Sequence, residues 1–517
     1  ESYAVDTSNP AITEVIDPAR CSFFIYDTTA PVSNTLSLQD TKAYSAITIT
    51  SGSCSDVQPS PSPPNAAYSN KISSVEVSIQ NLTLGTTYWN GTGWQESVVW
   101  SSATNFVVGN DTWSYTNLSN AFKSGWQYKL KTRAYDGALP NNIQTVLNEY
   151  AVVYDTHPPV SNIQYPATSN PNYGPQRALS SISGTSDDLL SSPNKAGVSK
   201  VQVRISSGTQ YWDSVKWNTG TTWWLDASAV AAFTYTSTPV WSDGGTYTIE
   251  SKAIDLVVPT GNLEVAYSTV TFKYDSTAPT SNITEPNSKF EKSPLNTISG
   301  NASDSFSTVE RVEVKVSSWS VGAGAYVLQQ DWTVAQASTS WTYPYSSWVN
   351  GVKYKVESQA RDRSQNYQTA ISSYEFTYDI SVPTVVVVAP QDGALNPAGL
   401  TSISGTALDF PTGPSPDLTT ALSKVQVRIK HQQGLYWNPA TATYDIDSAT
   451  AAWYDANYLS ADCTYWAATK PTFTNNTSYF IEAIAYDKAG NVPIYVSTRT
   501  IKIDDTKPQS IVSFPVN

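Results

Sequence analysis

One short punctuation mark recurs along this chain at domain-sized intervals, a pattern that favours a string of similar domains over one large core. The marks are Tyr26-Asp27-Thr-Thr-Ala-Pro31, Tyr154-Asp155-Thr-His-Pro-Pro159, Tyr274-Asp275-Ser-Thr-Ala-Pro279, Tyr378-Asp379-Ile-Ser-Val-Pro383 and Asp504-Asp-Thr-Lys-Pro508. Their aspartates stand 128, 120, 104 and 125 residues apart, the size of one β-sandwich with variable loops.

Each interval repeats the same internal order. A Ser-Gly turn leads to an aspartate: Ser51-Gly52 to Asp56, Ser183-Gly184 to Asp187, Ser299-Gly300 to Asp304 and Ser404-Gly405 to Asp409. Strict alternators follow, with Val75/Val77/Ile79, Val201/Val203/Ile205, Val312/Val314/Val316 and Val425/Val427/Ile429 on one face. Charged and polar residues such as Glu76, Arg204, Lys315 and Arg428 take the other face, which is the period-two signature of a half-buried strand. After a tryptophan-rich middle, a second alternator starts at Tyr128, Tyr247, Tyr354 and Tyr479 and ends at Asp136, Asp255, Asp362 and Asp487. A last strand then runs into the next mark.

The expected fold is therefore all-β: tandem immunoglobulin-like Greek-key β-sandwiches arranged as an elongated rod. The domains fall at 27–154, 155–274, 275–378 and 379–503. Residues 1–26 read as the C-terminal strands of a preceding domain, and 504–517 as the first strand of a following one. The recurring tyrosine matches the position of a tyrosine corner, whose hydroxyl bonds nearby backbone.

Composition narrows the function classes. Charged residues are only 14% of the chain and the net charge is −13, the wrong balance for phosphate contacts, so nucleic acid is not an expected partner. No apolar run reaches the roughly 18 residues of a membrane helix, so no membrane insertion is expected in this segment. The two histidines, His157 and His431, sit in different repeats without a sequence pattern that partners them with Ser, Cys or Asp, so no enzyme is expected. Three cysteines, Cys21, Cys54 and Cys463, show no metal-ligand spacing.

The sharper site is a cation site. In such a sandwich the first strand starts at the N-terminal pole, while the second and the penultimate strands end there. Strand direction alone thus gathers Asp27, Asp56 and Asp136; Asp155, Asp187 and Asp255; Asp275, Asp304 and Asp362; and Asp379, Asp409 and Asp487. Carboxylates with backbone carbonyls and amide oxygens such as those of Asn366 and Asn491 suit a hard cation, and Ca2+ at the domain junctions is the cofactor this implies. The competing role is plainer, because aspartate also caps turns by bonding its own backbone.

The chain resembles the bacterial immunoglobulin-like repeats of large extracellular surface proteins. The Asp-x-Thr-x-Pro linker, the Ser-Gly-Thr-x-x-Asp turn and Ala-Tyr-Asp487-Lys-Ala-Gly-Asn491 carry that resemblance. It implies a filament or surface-adhesin shaft giving reach and mechanical strength, joined head to tail with further repeats or further copies of itself. The 17 tryptophans leave a second reading open, a glycan-binding adhesin that stacks surface glycans on exposed rings.

Overall fold

In the computed structural model, residues 26–56, 72–107, 111–188, 194–409, 422–460, 464–511 and 513 are described. The expected strands within residues 1–25, Cys21 and Cys463 lie outside them, as do two proline-rich stretches of the sequence, Pro59-Ser-Pro-Ser-Pro-Pro64 and Pro411-Thr-Gly-Pro-Ser-Pro416. Every regular element among the described residues is a β-strand. No helix there is long and apolar enough to cross a membrane. The chain divides into two compact units. One comprises Glu1–Pro171, Leu179–Trp241 and Gly245–Phe272; the other comprises Asn172–Ala178, Ser242–Gly244 and Lys273–Asn517.

In the first unit, the second repeat shows the plan most simply. Its small sheet orders Val160–Tyr165, Ile182–Asp187 and Ala232–Tyr235 side by side, all antiparallel. Its larger sheet is built on Thr246–Asp255 paired with Val198–Ser207, the two alternators read from the sequence. Val201, Val203 and Ile205 are fully buried between the sheets, each contributing about 1.5–3 kcal/mol of burial. The first repeat follows the same order, and its larger sheet gains one strand from its neighbour: Val257–Val258 pairs in parallel with Lys42–Tyr44.

The second unit holds two further pairs of sheets. Small sheets are built on Thr280–Glu285, Thr297–Ser303 and Ser340–Pro344, and on Thr384–Ala389, Ile403–Leu408 and Tyr465–Ala468. Larger sheets are built on Val309–Ser320 with Val352–Asp362, and on Leu422–His431 with Ser478–Asp487. In all four repeats the first part of the repeat serves both sheets. After its first strand it crosses over, and a short segment pairs in parallel with the last strand: Lys42–Tyr44, Asn172–Tyr173, Phe290–Glu291 and Leu395–Asn396.

The Ser-Gly pairs lie inside strands, not at the turns expected from the sequence, and their glycines have a steric reason. A Cβ on Gly300 would lie 2.0 Å from Asn282 O and 2.3 Å from Cζ2 of Trp341; on Gly405 it would meet Val386 O at 2.0 Å and Trp466 Cζ2 at 2.4 Å. The glycine lets a wholly buried indole lie flat on the strand. The tyrosine corner is present as well: Tyr128, Tyr354 and Tyr479 accept the backbone N–H of Lys123, Val349 and Thr474 at 2.8, 2.8 and 3.0 Å.

Candidate metal centre

Four triads of aspartates converge, one at the N-terminal pole of each repeat. Asp27, Asp56 and Asp136; Asp155, Asp188 and Asp255; Asp275, Asp304 and Asp362; and Asp379, Asp409 and Asp487 each bring carboxylate oxygens within 4.8 Å of one another. Eleven of the twelve residues expected from the sequence are thus brought together. The exception is Asp187, which points outward to Lys195 Nζ at 2.5 Å and is 62% exposed at its side chain. Asp188 takes its place, fully buried. The reason is the pleat, since neighbouring residues in a strand face opposite ways. The signal was in the spacing: Asp56, Asp188, Asp304 and Asp409 all stand four residues after the Ser-Gly glycine, whereas Asp187 stands three after it.

Each triad is braced by an asparagine. Nδ2 of Asn262 donates to Asp155 O at 3.1 Å and to Asp255 Oδ2 at 2.7 Å. Asn366 does the same to Asp275 O and Asp362 Oδ2, Asn491 to Asp379 O and Asp487 Oδ2, and Asn142 to Asp27 O and Asp136 Oδ2. Asn366 and Asn491 therefore present amide nitrogen to the carboxylates, not the oxygen expected of a ligand. The turn-capping role is also real. Oδ1 of Asp27, Asp155, Asp275 and Asp379 accepts the backbone N–H two residues on, at 2.9–3.0 Å.

Turn capping does not use every oxygen. Oδ1 of Asp188, Oδ1 of Asp304 and Oδ2 of Asp379 are buried and meet no hydrogen-bond donor among the described residues. Burying a carboxylate in this way is costly unless a positive charge faces it. Burial accordingly pushes the carboxyls of Asp188, Asp255, Asp275, Asp362, Asp379 and Asp487 above the ordinary range. Neighbouring carboxylates add to the rise at Asp188, Asp255, Asp362 and Asp487.

The sequence did not reveal a second layer, in which each repeat grips the linker that leaves it. Asp243 accepts Ser276 N–H and the Thr277 hydroxyl, both at 2.6 Å. Asn350 bonds Ile380 N–H and the Ser381 hydroxyl, and Asn475 accepts Asp505 N–H. In the first repeat Ser124 accepts Thr156 N–H and lies 2.8 Å from Nδ1 of His157. His157 thus does have a serine partner, contrary to the sequence reading. That pair is exposed, and its serine occupies the linker-gripping position filled elsewhere by Asp243, Asn350 and Asn475. All four grips stand four residues before the corner tyrosine, the one signal that could have located them.

The tryptophans are mostly committed to packing. Trp89, Trp113, Trp212, Trp241, Trp341, Trp437 and Trp466 are buried, and of the rest only Trp223, at 42%, counts as exposed. Trp100, Trp224 and Trp453 lie over Arg133, Arg204 and Arg428, and Trp332 over Lys315, at 4.1–4.8 Å from the cation.

No protein-family model matches the chain, and no curated protein matches it. Among solved structures, a tetra-tandem repeat in the extending region of a large adhesion protein is similar over 93% of this chain and 100% of that one, at 18% identity and a TM-score of 0.33. A Ca2+-stabilized adhesin that helps an Antarctic bacterium bind ice aligns with 89% of this chain and 95% of its own, at 11% identity and a TM-score of 0.23. A 1.5-MDa bacterial ice-binding adhesin aligns with 68% and 99%, at 13% identity and a TM-score of 0.27.

Proposed function

We propose that this chain is a structural segment of an extracellular bacterial surface shaft. Its four sandwich domains, 27–154, 155–274, 275–378 and 379–503, are stiffened at their junctions by Ca2+. The supporting observation is the recurrence of one carboxylate triad at each linker, with buried oxygens of Asp188, Asp304 and Asp379 that no donor among the described residues satisfies. The donor set is all oxygen and rich in negative charge, which fits a hard divalent cation. The residues that would hold it are Asp27, Asp56 and Asp136; Asp155, Asp188 and Asp255; Asp275, Asp304 and Asp362; and Asp379, Asp409 and Asp487. A bound cation supplies the charge that these oxygens lack, tying the first strand's start to the ends of two others.

Function then lies in load-bearing, not in chemistry. The asparagine braces fix each linker carbonyl, the grips at Ser124, Asp243, Asn350 and Asn475 fix its other side, and proline limits its backbone. The glycan reading draws little support from the rings, which are buried, packed on other aromatic rings or stacked on cations except at the exposed Trp223. Thermal melting in Ca2+ and in a chelator tests the proposal. At a hundredfold excess over the dissociation constant, each site should add about 2.7 kcal/mol. A midpoint unmoved by Ca2+ at millimolar concentration would remove the cation from this account.

A further inference from the structure

In the second repeat, the carboxylate triad and the contact with the first repeat share one turn. The turn runs from Asp255 to Asn262, and Asp255 fixes it at both ends. Its Oδ1 accepts Val257 N–H at 3.1 Å and Asn262 N–H at 2.7 Å, and its own N–H donates to Asn262 O at 3.2 Å. Asp188 holds the turn from the other side: its Oδ2 accepts Gly197 N–H at 2.9 Å, and Gly197 O accepts Leu256 N–H at 2.9 Å. Asp155 completes the support, with its Oδ2 accepting Ala196 N–H at 2.9 Å. All three carboxylates are thus bonded to the turn or to the segment that carries it. Oδ1 of the fully buried Asp188 still meets no donor among the described residues.

The middle of the same turn belongs to the other repeat's sheet. Val257 and Val258 pair in parallel with Ala43 and Tyr44. Val257 is 3% exposed, Ala43 is 7% exposed, and Val258 packs against the first repeat's core. One hydrogen bond, from Val257 N–H to Asp255, therefore separates a triad carboxylate from a residue paired with the first repeat.

Turn length sets which repeats can do this. Asp255 and Asn262 stand seven residues apart, with room for a two-residue strand, whereas Asp362 and Asn366, and Asp487 and Asn491, stand four apart. The short turns close directly, as Asn366 N–H and Asn491 N–H donate to the aspartate Oδ1 at 2.9 and 2.6 Å. The fourth repeat's turn reaches the matching edge of the third through side chains alone. Lys292 Nζ, next to Phe290–Glu291, donates to Gly490 O at 2.7 Å, and Lys488 Nζ lies 5.5 Å from the Phe290 ring.

We infer that the first repeat regulates the second triad: a divalent cation held by Asp155, Asp188 and Asp255, and closure of Val257–Val258 on Ala43–Tyr44, favour each other. The inference rests on the cation reading and gives one of its sites a partner in the neighbouring repeat. The physical reason is that both events need the turn in one shape. Without a cation, three like charges push Asp188 and Asp255 apart and loosen the bonds that shape the turn; a cation draws them together. Such coupling is reciprocal, so the paired first repeat raises the cation affinity of the second triad by the same factor with which the cation tightens the pairing.

The test is hydrogen–deuterium exchange of the full chain across a series of free Ca2+ concentrations, read by mass spectrometry in peptides from each repeat. Residues 42–44 should gain protection at the same Ca2+ midpoint as residues 255–262. Asp188→Asn should abolish that gain, and Asp409→Asn should leave it. Ala43→Gln places a bulky side chain beside Val257 and alters no residue of the second repeat. It should raise the Ca2+ midpoint of the second triad about fivefold or more and leave those of the third and fourth unchanged. Val258→Ser loosens the pair from the opposite side and should shift that midpoint in the same direction, which covers a first repeat that fails to fold with Ala43→Gln. A second-triad midpoint unmoved by both variants, with Ca2+ responses present at the triads, would overturn the coupling and leave the cation reading standing. No Ca2+ response at any triad would overturn both.

Discussion

The third and fourth repeats solve one packing problem with opposite chemistry. In the third, the first strand is latched to the core by a buried polar cluster. The Ser281 hydroxyl donates to Gln368 Oε1 at 2.7 Å and lies 2.9 Å from Ser358 Oγ, while Ala360 N–H donates to the same Gln368 oxygen at 3.1 Å. The first and second repeats keep this latch as Ser33, Thr132 and Gln144, and as Ser161, Ser251 and Glu264. At the matching positions the fourth repeat has Val385, Ala483 and Pro493, with Val385 and Ala483 in its apolar cluster. A complete hydrogen-bonded set and a complete apolar set are close in free energy, and half of either is not. The difference teaches that the latch must be whole, whichever kind it is.

The largest effect should come from what the two repeats share. Trp341 and Trp466 lie on Gly300 and Gly405 in the same way, so Trp341→Ala and Trp466→Ala should each cost about 3–5 kcal/mol by denaturant melts. Clearly unequal losses would show that the polar latch, and not the indole, carries the third repeat. The next effect separates them. Ser281→Val alone takes one of two donors from the Gln368 carbonyl and strands the buried Ser358 hydroxyl, and it should cost about 1–3 kcal/mol. Adding Ser358→Ala removes the stranded hydroxyl and should recover most of that loss, because Gln368 keeps Ala360 N–H and Ala370 O as partners. If the double variant is no better than the single one, an apolar pair cannot stand in for these two hydroxyls.

A pH titration gives a smaller difference and puts both repeats on the same side. Burial raises the carboxyls of Asp275, Asp362, Asp379 and Asp487. A raised folded-state pKa means that the folded form binds protons more readily than the unfolded chain. Without divalent cations, these groups should therefore let stability fall as pH rises from the ordinary carboxylate range through the raised values. Ca2+ should reverse the trend near neutrality and lose its effect in acid. Chelated protein whose stability from these groups rises with pH would contradict the burial of the triads.

Much of this architecture was legible in the chain, because alternation and punctuation are local patterns. Val312, Val314 and Val316 could face only one way on a strand, and the aspartates of the first four Asp-to-Pro marks each stand in a carboxylate triad. The latch was not legible, since no local pattern links Ser281 to Gln368, which stand 87 positions apart in sequence but 2.7 Å apart in space. Asp188 was missed for a different reason. Two adjacent aspartates compete for one role, and only the pleat decides which of them faces inward. The parallel crossover of the first strand leaves no local trace at all, because Lys42–Tyr44 and Phe290–Glu291 are too short to show a period.

The smallest effect lies on the outer face of the large sheets, where the same two repeats differ again. In the fourth, Arg428 lies under Trp453 at 4.4 Å and bonds Glu482 at 2.5 Å and Ala449 O at 2.8 Å. In the third, Lys315 lies under Trp332 at 4.8 Å and bonds Glu357 at 2.8 Å, a carboxylate that Lys355 shares at 3.3 Å. A guanidinium is planar, so Arg428 can stack on the indole and still donate at its edge, whereas an ammonium is a point charge and gains little from the ring's shape. A double-mutant cycle on Arg428 and Trp453 should therefore give a coupling of about 0.5–1 kcal/mol, and one on Lys315 and Trp332 about half that or less. Because all four side chains are partly solvated, both couplings should shrink as salt is raised. Equal couplings in the two repeats would mean that the tryptophan merely covers the sheet, and that the identity of the cation beneath it is incidental.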